Sequence, residues 1–123
     1  MNDHTIFNRI GGKPTVEAAV NRFYDKFLLD PEIAEFFTGI PLDAQKIKLR
    51  RFFTFVLGGE SEISMARLSE IHAPLLERGL NQNHVDKWLT MMLNTLEELS
   101  IPKEIIEIIR EELQPFAKEI VPD

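Results

Sequence analysis

The sequence predicts an all-α fold, and three observations carry that expectation. Apolar residues recur at three- and four-residue spacing along most of the chain. Strict alternation of period two appears nowhere for long. Glycine and proline gather at a few breaks that cut the chain into helix-length pieces. At 123 residues, one domain fits, with an ordered core expected over about 5–120.

The elements follow in order. Thr5 caps a short first helix, Ile6 to Ile10, which Gly11-Gly12 ends. A second helix starts near Pro14-Thr15, since proline suits a first turn. Val16, Ala19, Val20, Phe23 and Phe27 share its apolar face, with Tyr24 at the edge. Asp30-Pro31 ends it and opens a short third helix, where Asp30 is the N-cap and Ile33, Phe36 and Phe37 are apolar. After Gly39-Ile40-Pro41, Asp43 is expected to cap a fourth helix to about Leu57, with Gln45, Leu49, Phe52, Phe53 and Val56 on one side. Gly58-Gly59 stops it, and a polar loop covers Glu60 to Ser64. The fifth helix places Leu68, Ile71, His72, Leu75 and Leu76 on one face and ends at Gly79. Asn81 or Asn83 caps a sixth with Val85, Trp88, Leu89, Met92, Leu96 and Leu99 inward. Ser100-Ile101-Pro102 breaks the chain before a seventh helix, about Lys103 to Ile120, with Ile105, Ile106, Ile109, Leu113, Phe116 and Ile120 inward. Apolar faces on every helix imply packing around one centre.

Composition closes several function classes. There is no cysteine, which removes disulfide scaffolds, thiol nucleophiles, zinc fingers and iron–sulfur ligation. A net charge of −6 argues against non-specific nucleic-acid binding and against an anionic membrane surface. No stretch is long and apolar enough to span a bilayer, and Met1-Asn2-Asp3-His4 does not open a signal peptide, so a cytoplasmic address is expected. No Gly-x-Ser-x-Gly, P-loop or His-Glu-x-x-His is present, and no side chain is assigned a catalytic role.

The informative residue is His72, in the middle of an apolar helical stripe. A neutral imidazole aimed into a dry core is a good ligand for an iron porphyrin, with its second nitrogen held by a carbonyl of the preceding turn. A core histidine that only hydrogen-bonds fits the same periodicity. Tyr24, the one tyrosine, has either its hydroxyl in water or a bond to give to a bound ligand. Phe36-Phe37 and Phe52-Phe53 suit a planar macrocycle and suit an ordinary core equally. Gln45 is one of the few polar residues on its stripe, and Lys48 is either solvated or snorkels toward an acidic group.

Taken in order, these residues resemble the truncated haemoglobins, the 2-on-2 globins, from about Ile6 to Ile120. The likeness rests on Phe7-Asn8-Arg9-Ile10-Gly11-Gly12, then Val20-Asn21-Arg22-Phe23-Tyr24, Phe36-Phe37, Gly58-Gly59 and Ile71-His72. It implies a helical sandwich around haem b that binds O2, NO and CO at ferrous iron. His72 would be the proximal iron ligand, and Tyr24 the main distal donor to bound oxygen. Gln45 would be a second polar group and Leu49 an apolar neighbour. Phe37, Phe52, Phe53, Leu68, Trp88 and Lys48 would contact the haem, and Lys48 matches a position that binds the iron in some members. The spacing from Gly58-Gly59 to His72 resembles the first subgroup, with two departures. Leu49 stands where many of those members place a second glutamine. Trp88 stands where they have an aliphatic residue, and a tryptophan there is typical of the other subgroups. Three functions follow from different classes: a gas store or sensor, an NO dioxygenase served by an unknown reductase, or a haem-free helical interaction domain. A monomer or weak homodimer is expected.

Overall fold

The computed structural model describes residues 5–59 and 65–121, all helix and connecting turns. The polar loop expected at Glu60 to Ser64 lies outside the described residues. The helices are α1 (Ile6–Arg9), α2 (Lys13–Phe27), α3 (Pro31–Phe36), α4 (Leu42–Val56), α5 (Met65–Glu77), α6 (Gln82–Glu98) and α7 (Lys103–Ile120).

The helix starts follow from local chemistry. Thr5 accepts from the Asn8 amide at 3.2 Å and caps α1. Asp30 accepts from the Glu32 amide at 3.0 Å and caps α3, with Pro31 in its first turn. Asn81, the first of the two candidates, caps α6 by accepting from the Asn83 amide at 2.9 Å. The expected cap at Asp43 is corrected: α4 begins one residue after Pro41, whose extended ψ of 123° starts the helix without a side-chain bond. Asp43 lies inside the first turn, where its charge complements the helix dipole.

The second glycine pair has two separate reasons. Gly58 has φ +87°, a conformation that disfavours any side chain. At Gly59, a Cβ would come within 2.7 Å of the Thr54 side chain and 3.0 Å of the Phe7 ring. The turn thereby lets α1 lie against the end of α4, where the Phe7 amide donates to the Leu57 carbonyl at 2.9 Å.

Helix α2 packs on α4 and on α6, α6 packs on α7, and α4 touches α7. Two helix pairs, α2/α4 and α6/α7, are thus laid one on the other. Their shared core holds Val20, Phe23, Phe53, Leu57, Met92, Leu96, Ile109 and Leu113, all at most 2% exposed. Fully burying side chains of this kind stabilises by about 1.5–3 kcal/mol each. Two ion-pair groups fasten the sandwich from outside. Arg22 and Lys26 on α2 both reach Glu98 on α6 at 2.8 Å. Lys87 on α6 reaches Asp30 at 3.0 Å and Glu32 at 3.6 Å.

Helix α5 departs from the expected single centre. It runs beside α7, yet Leu68, Leu75 and Leu76 are only half-buried and none of them joins the core cluster. Ile71, expected on the same face, is 49% exposed. The reason is angular. Leu68, His72, Leu75 and Leu76 fall within one arc of the helix, and Ile71 lies about 90° from its centre.

Candidate functional site

Three helices bring one group of expected residues together. Tyr24 sits in the fourth turn of α2, and it is 4% exposed rather than at the edge of its face. Two aromatic rings help to enclose it. Its ring meets Phe23 edge-on at 5.3 Å and Phe37 at 6.1 Å, both T-shaped. Burial pushes the Tyr24 phenol up to about 12, and a hydrogen bond with the Gln45 side chain pulls it partly back. The phenol therefore keeps its proton, and with it the ability to donate, throughout the ordinary pH range.

Gln45 reaches Tyr24 from the first turns of α4. One turn on, Leu49 is buried at 8% exposure, and Phe53 and Val56 continue into the core. Phe52, on the flank, turns instead toward α7 and meets Phe116 edge-on at 5.1 Å. Lys48 is exposed on the other side of the stripe and has no ionic partner among the described residues. Phe37 is held in place from behind. It follows α3, which Lys87 and His84 of α6 tie down through Asp30 and Glu32. Trp88 is half-buried and packs T-shaped on Phe23 at 5.5 Å, so it belongs to the contact between α2 and α6.

His72 stands apart on α5. No hydrogen bond or ring contact joins it to the Tyr24 group among the described residues. Its Nδ1 lies 2.8 Å from the Leu68 carbonyl oxygen, the preceding-turn partner expected from the sequence. A carbonyl only accepts, so Nδ1 carries the proton and Nε2 carries the lone pair. That lone pair has no protein partner among the described residues. Leu68 belongs to the half-buried apolar face of α5 described above, on either side of which lie Leu75 and Leu76.

His84 is the contrasting case, and its role was missed from the sequence. It is 4% exposed at the start of α6. Its Nδ1 accepts from the Asn81 amide at 3.0 Å, and its Nε2 donates to the Glu32 carboxylate at 2.6 Å. The signal was available: Asn81-x-x-His84 has the spacing of a capping box, with imidazole in place of the usual carboxylate or amide.

The residues present fit a haem. A histidine nitrogen is oriented with a free lone pair. A helix face of leucines is left outside the protein core. A protonated phenol, an amide and aromatic rings are assembled on other helices. No metal-binding group of three or more histidine or acidic residues occurs among the described residues.

The comparisons with known proteins agree with this arrangement. The bacterial-like globin family matches residues 5–121. The chain is 32% identical over 103 residues to the group 1 truncated hemoglobin GlbN of Synechocystis sp., covering 83% of each chain. It is 33% identical over 104 residues to the group 1 truncated hemoglobin of Tetrahymena pyriformis, covering 83% of this chain and 82% of that one. The crystal structure of the Tetrahymena pyriformis truncated hemoglobin in its Fe(III) form superposes with a TM-score of 0.86 at 27% identity, over 98% of this chain and 100% of that one. The 2/2 hemoglobin of Synechococcus sp. superposes at 0.89, and at 24% identity it speaks for the fold alone. With the two helix pairs and the order of the glycine turns already seen, the chain belongs to the bacterial-like globins and has the 2-on-2 fold of the truncated haemoglobins.

Proposed function

We propose that this globin holds haem b through His72 and binds O2 and other diatomic gases, NO and CO among them, beside Tyr24. The observation that carries the reading is the His72 imidazole, whose Nδ1–H is given to Leu68 and whose Nε2 lone pair is left over. Haem, when bound, supplies an iron that coordinates the gas. The bond to Leu68 fixes the tautomer and the ring orientation and makes Nε2 a stronger base.

On the Tyr24 side, the phenol would offer its proton to a bound gas, and that bond would strengthen with any negative charge on its acceptor. Gln45 orients the phenol through their mutual hydrogen bond and offers a second amide donor. Phe37, Leu49, Phe53 and Val56 line or back this side with apolar surface, which excludes water. Phe52, Leu68 and Trp88 are proposed haem contacts at its margins. Lys48, exposed on α4, is the proposed contact for an acidic haem edge and, with water, the candidate ligand of ferric iron.

Turnover is a second reading. Conversion of NO and oxygen to nitrate would need an outside reductant to restore ferrous iron, and the sequence contains no flavin- or nicotinamide-binding loop. The cationic face of α4 described below favours such a supply of electrons. No helix among the described residues is long and apolar enough to cross a membrane.

The test is a visible spectrum. The purified chain is given hemin, reduced and exposed to CO. A one-to-one complex with a sharp Soret band that shifts with CO is expected. A broad absorption that keeps rising past one equivalent contradicts the reading and leaves a haem-free helical domain.

A further inference from the structure

Charge is unevenly distributed on this acidic chain. The inter-helix cations Arg22, Lys26 and Lys87 are all paired with carboxylates. Helix α4 instead carries Lys46, Lys48, Arg50 and Arg51 against the single acid Asp43, and none of the four has an ionic partner among the described residues. Their helical spacing leaves Ile47 between them on the outer face, 45% exposed. Ile40 and Leu42, just before and at the start of α4, are 41% and 39% exposed. Beside Ile47, Arg50 and Arg51 runs an open crevice of about 600 Å³, whose far wall includes Lys13, Phe7 and Glu17, the one acid on it among the described residues. An apolar centre ringed by cations that are unpaired among the described residues has the anatomy of a transient protein interface, where charge sets encounter rate and orientation.

We propose that the outer face of α4, centred on Ile47 with Lys46, Arg50, Arg51 and Lys13, is the docking surface for an acidic one-electron carrier protein. The proposal rests on the haem reading above, because a carrier is needed only if the chain holds a redox metal. Each encounter passes one electron from the carrier, which is oxidised, to ferric haem, which is reduced. The placement suits that task. Gln45 and Leu49 face inward from the same helix that presents Ile47 and Arg51 outward, so a docked carrier lies one helix diameter, about 10 Å, from the ligand side. Against a chain of net charge −6, such a local patch also favours one docking site for an acidic protein, since the net charge disfavours its approach elsewhere.

The test uses the full chain, with and without hemin, and a photoreduced acidic [2Fe–2S] ferredoxin. Three proteins are compared: the wild type, Arg50→Glu/Arg51→Glu on the patch, and Lys103→Glu/Lys118→Glu on α7 as a control of equal charge change. Ferredoxin binding is followed by calorimetric titration, and haem reduction by stopped flow, over a salt series. The wild type and the α7 control are expected to bind and be reduced alike, with rates that fall as salt rises. The patch variant should lose tenfold or more in both at low salt, while dithionite reduces it at the wild-type rate. Normal hemin uptake with binding and reduction indifferent to the patch variant overturns the docking surface alone. Failure of hemin to bind overturns the haem reading and the electron-carrier role with it. Binding of inorganic phosphate in the crevice without ferredoxin binding overturns the proposal in favour of a small-anion site. Self-association abolished by Arg50→Glu/Arg51→Glu, again without ferredoxin binding, overturns it in favour of a second copy of this chain.

Discussion

His72 and His84 are both helical histidines in largely apolar surroundings, and the protein finishes only one of them. His84 has both ring nitrogens bonded, to the Asn81 amide and the Glu32 carboxylate, and its ring meets Phe36 edge-on at 5.1 Å. Among the described residues, His72 has one nitrogen bonded to its own helix and one lone pair to spare. The helices around them repeat the contrast. Helix α6 sends Met92, Leu93 and Leu96 into the core, whereas the leucines of α5 stay outside it. A structural histidine is completed by its neighbours, and a ligand histidine is completed by what it binds.

The largest test of that contrast compares the two helices. If haem covers the α5 leucines, hemin should slow amide exchange across residues 68–77 far more than across α6. With hemin at a hundred times its Kd, linkage gives about a 100-fold slowing for openings that expose the site. Equal slowing of both helices, read by hydrogen-exchange mass spectrometry, would place the haem elsewhere or make its effect global.

Next in size is the tyrosine. Tyr24→Phe should raise the oxygen dissociation rate about tenfold, the loss of one charge-assisted hydrogen bond. Flash photolysis or stopped flow measures it, and an unchanged rate removes Tyr24 as the donor.

On the structural side, His84→Ala should lower the stability of the hemin-free chain by about 1–3 kcal/mol in urea titration, because a buried bond to Glu32 and a cap bond both go. No change in midpoint would mean that His84 is as unfinished as His72.

The smallest effect is a titration. The chain has one tyrosine, so tyrosinate absorbance reports Tyr24 alone. It should appear near pH 12 rather than 10. The folded phenol holds its proton where an unfolded one would lose it. Its contribution to stability is therefore complete below about pH 10 and is lost as pH rises from 10 to 12. Ionisation near 10 in the folded chain would show Tyr24 to be wet.

What the sequence carried was mostly local. Thr5, Asp30 and Asn81 cap where they were expected to, since a short polar side chain before an apolar run acts within three residues. Asp43 misled for the same reason, because Pro41 starts α4 through backbone geometry alone. Periodicity found the face of α5 that bears His72, but it assigned Ile71 to a layer that no neighbour supplies. Long-range features stayed hidden. The Glu32–His84 bond spans 52 residues, and nothing local marks Glu32 as a partner. The bond between Tyr24 and Gln45 and the separation of α5 from the core likewise exist only once the helices are packed. The cations of α4 were visible in the sequence, yet their lack of partners was not.

The most direct measurement sets the two histidines side by side. Wild type, His72→Ala and His84→Ala are each loaded with hemin, reduced and exposed to CO, and their Soret spectra are recorded. The account predicts that His84→Ala keeps the wild-type bands, and that His72→Ala loses the wild-type ferrous spectrum and binds hemin far more weakly. A wild-type spectrum from His72→Ala would contradict the assignment of His72 as the haem ligand.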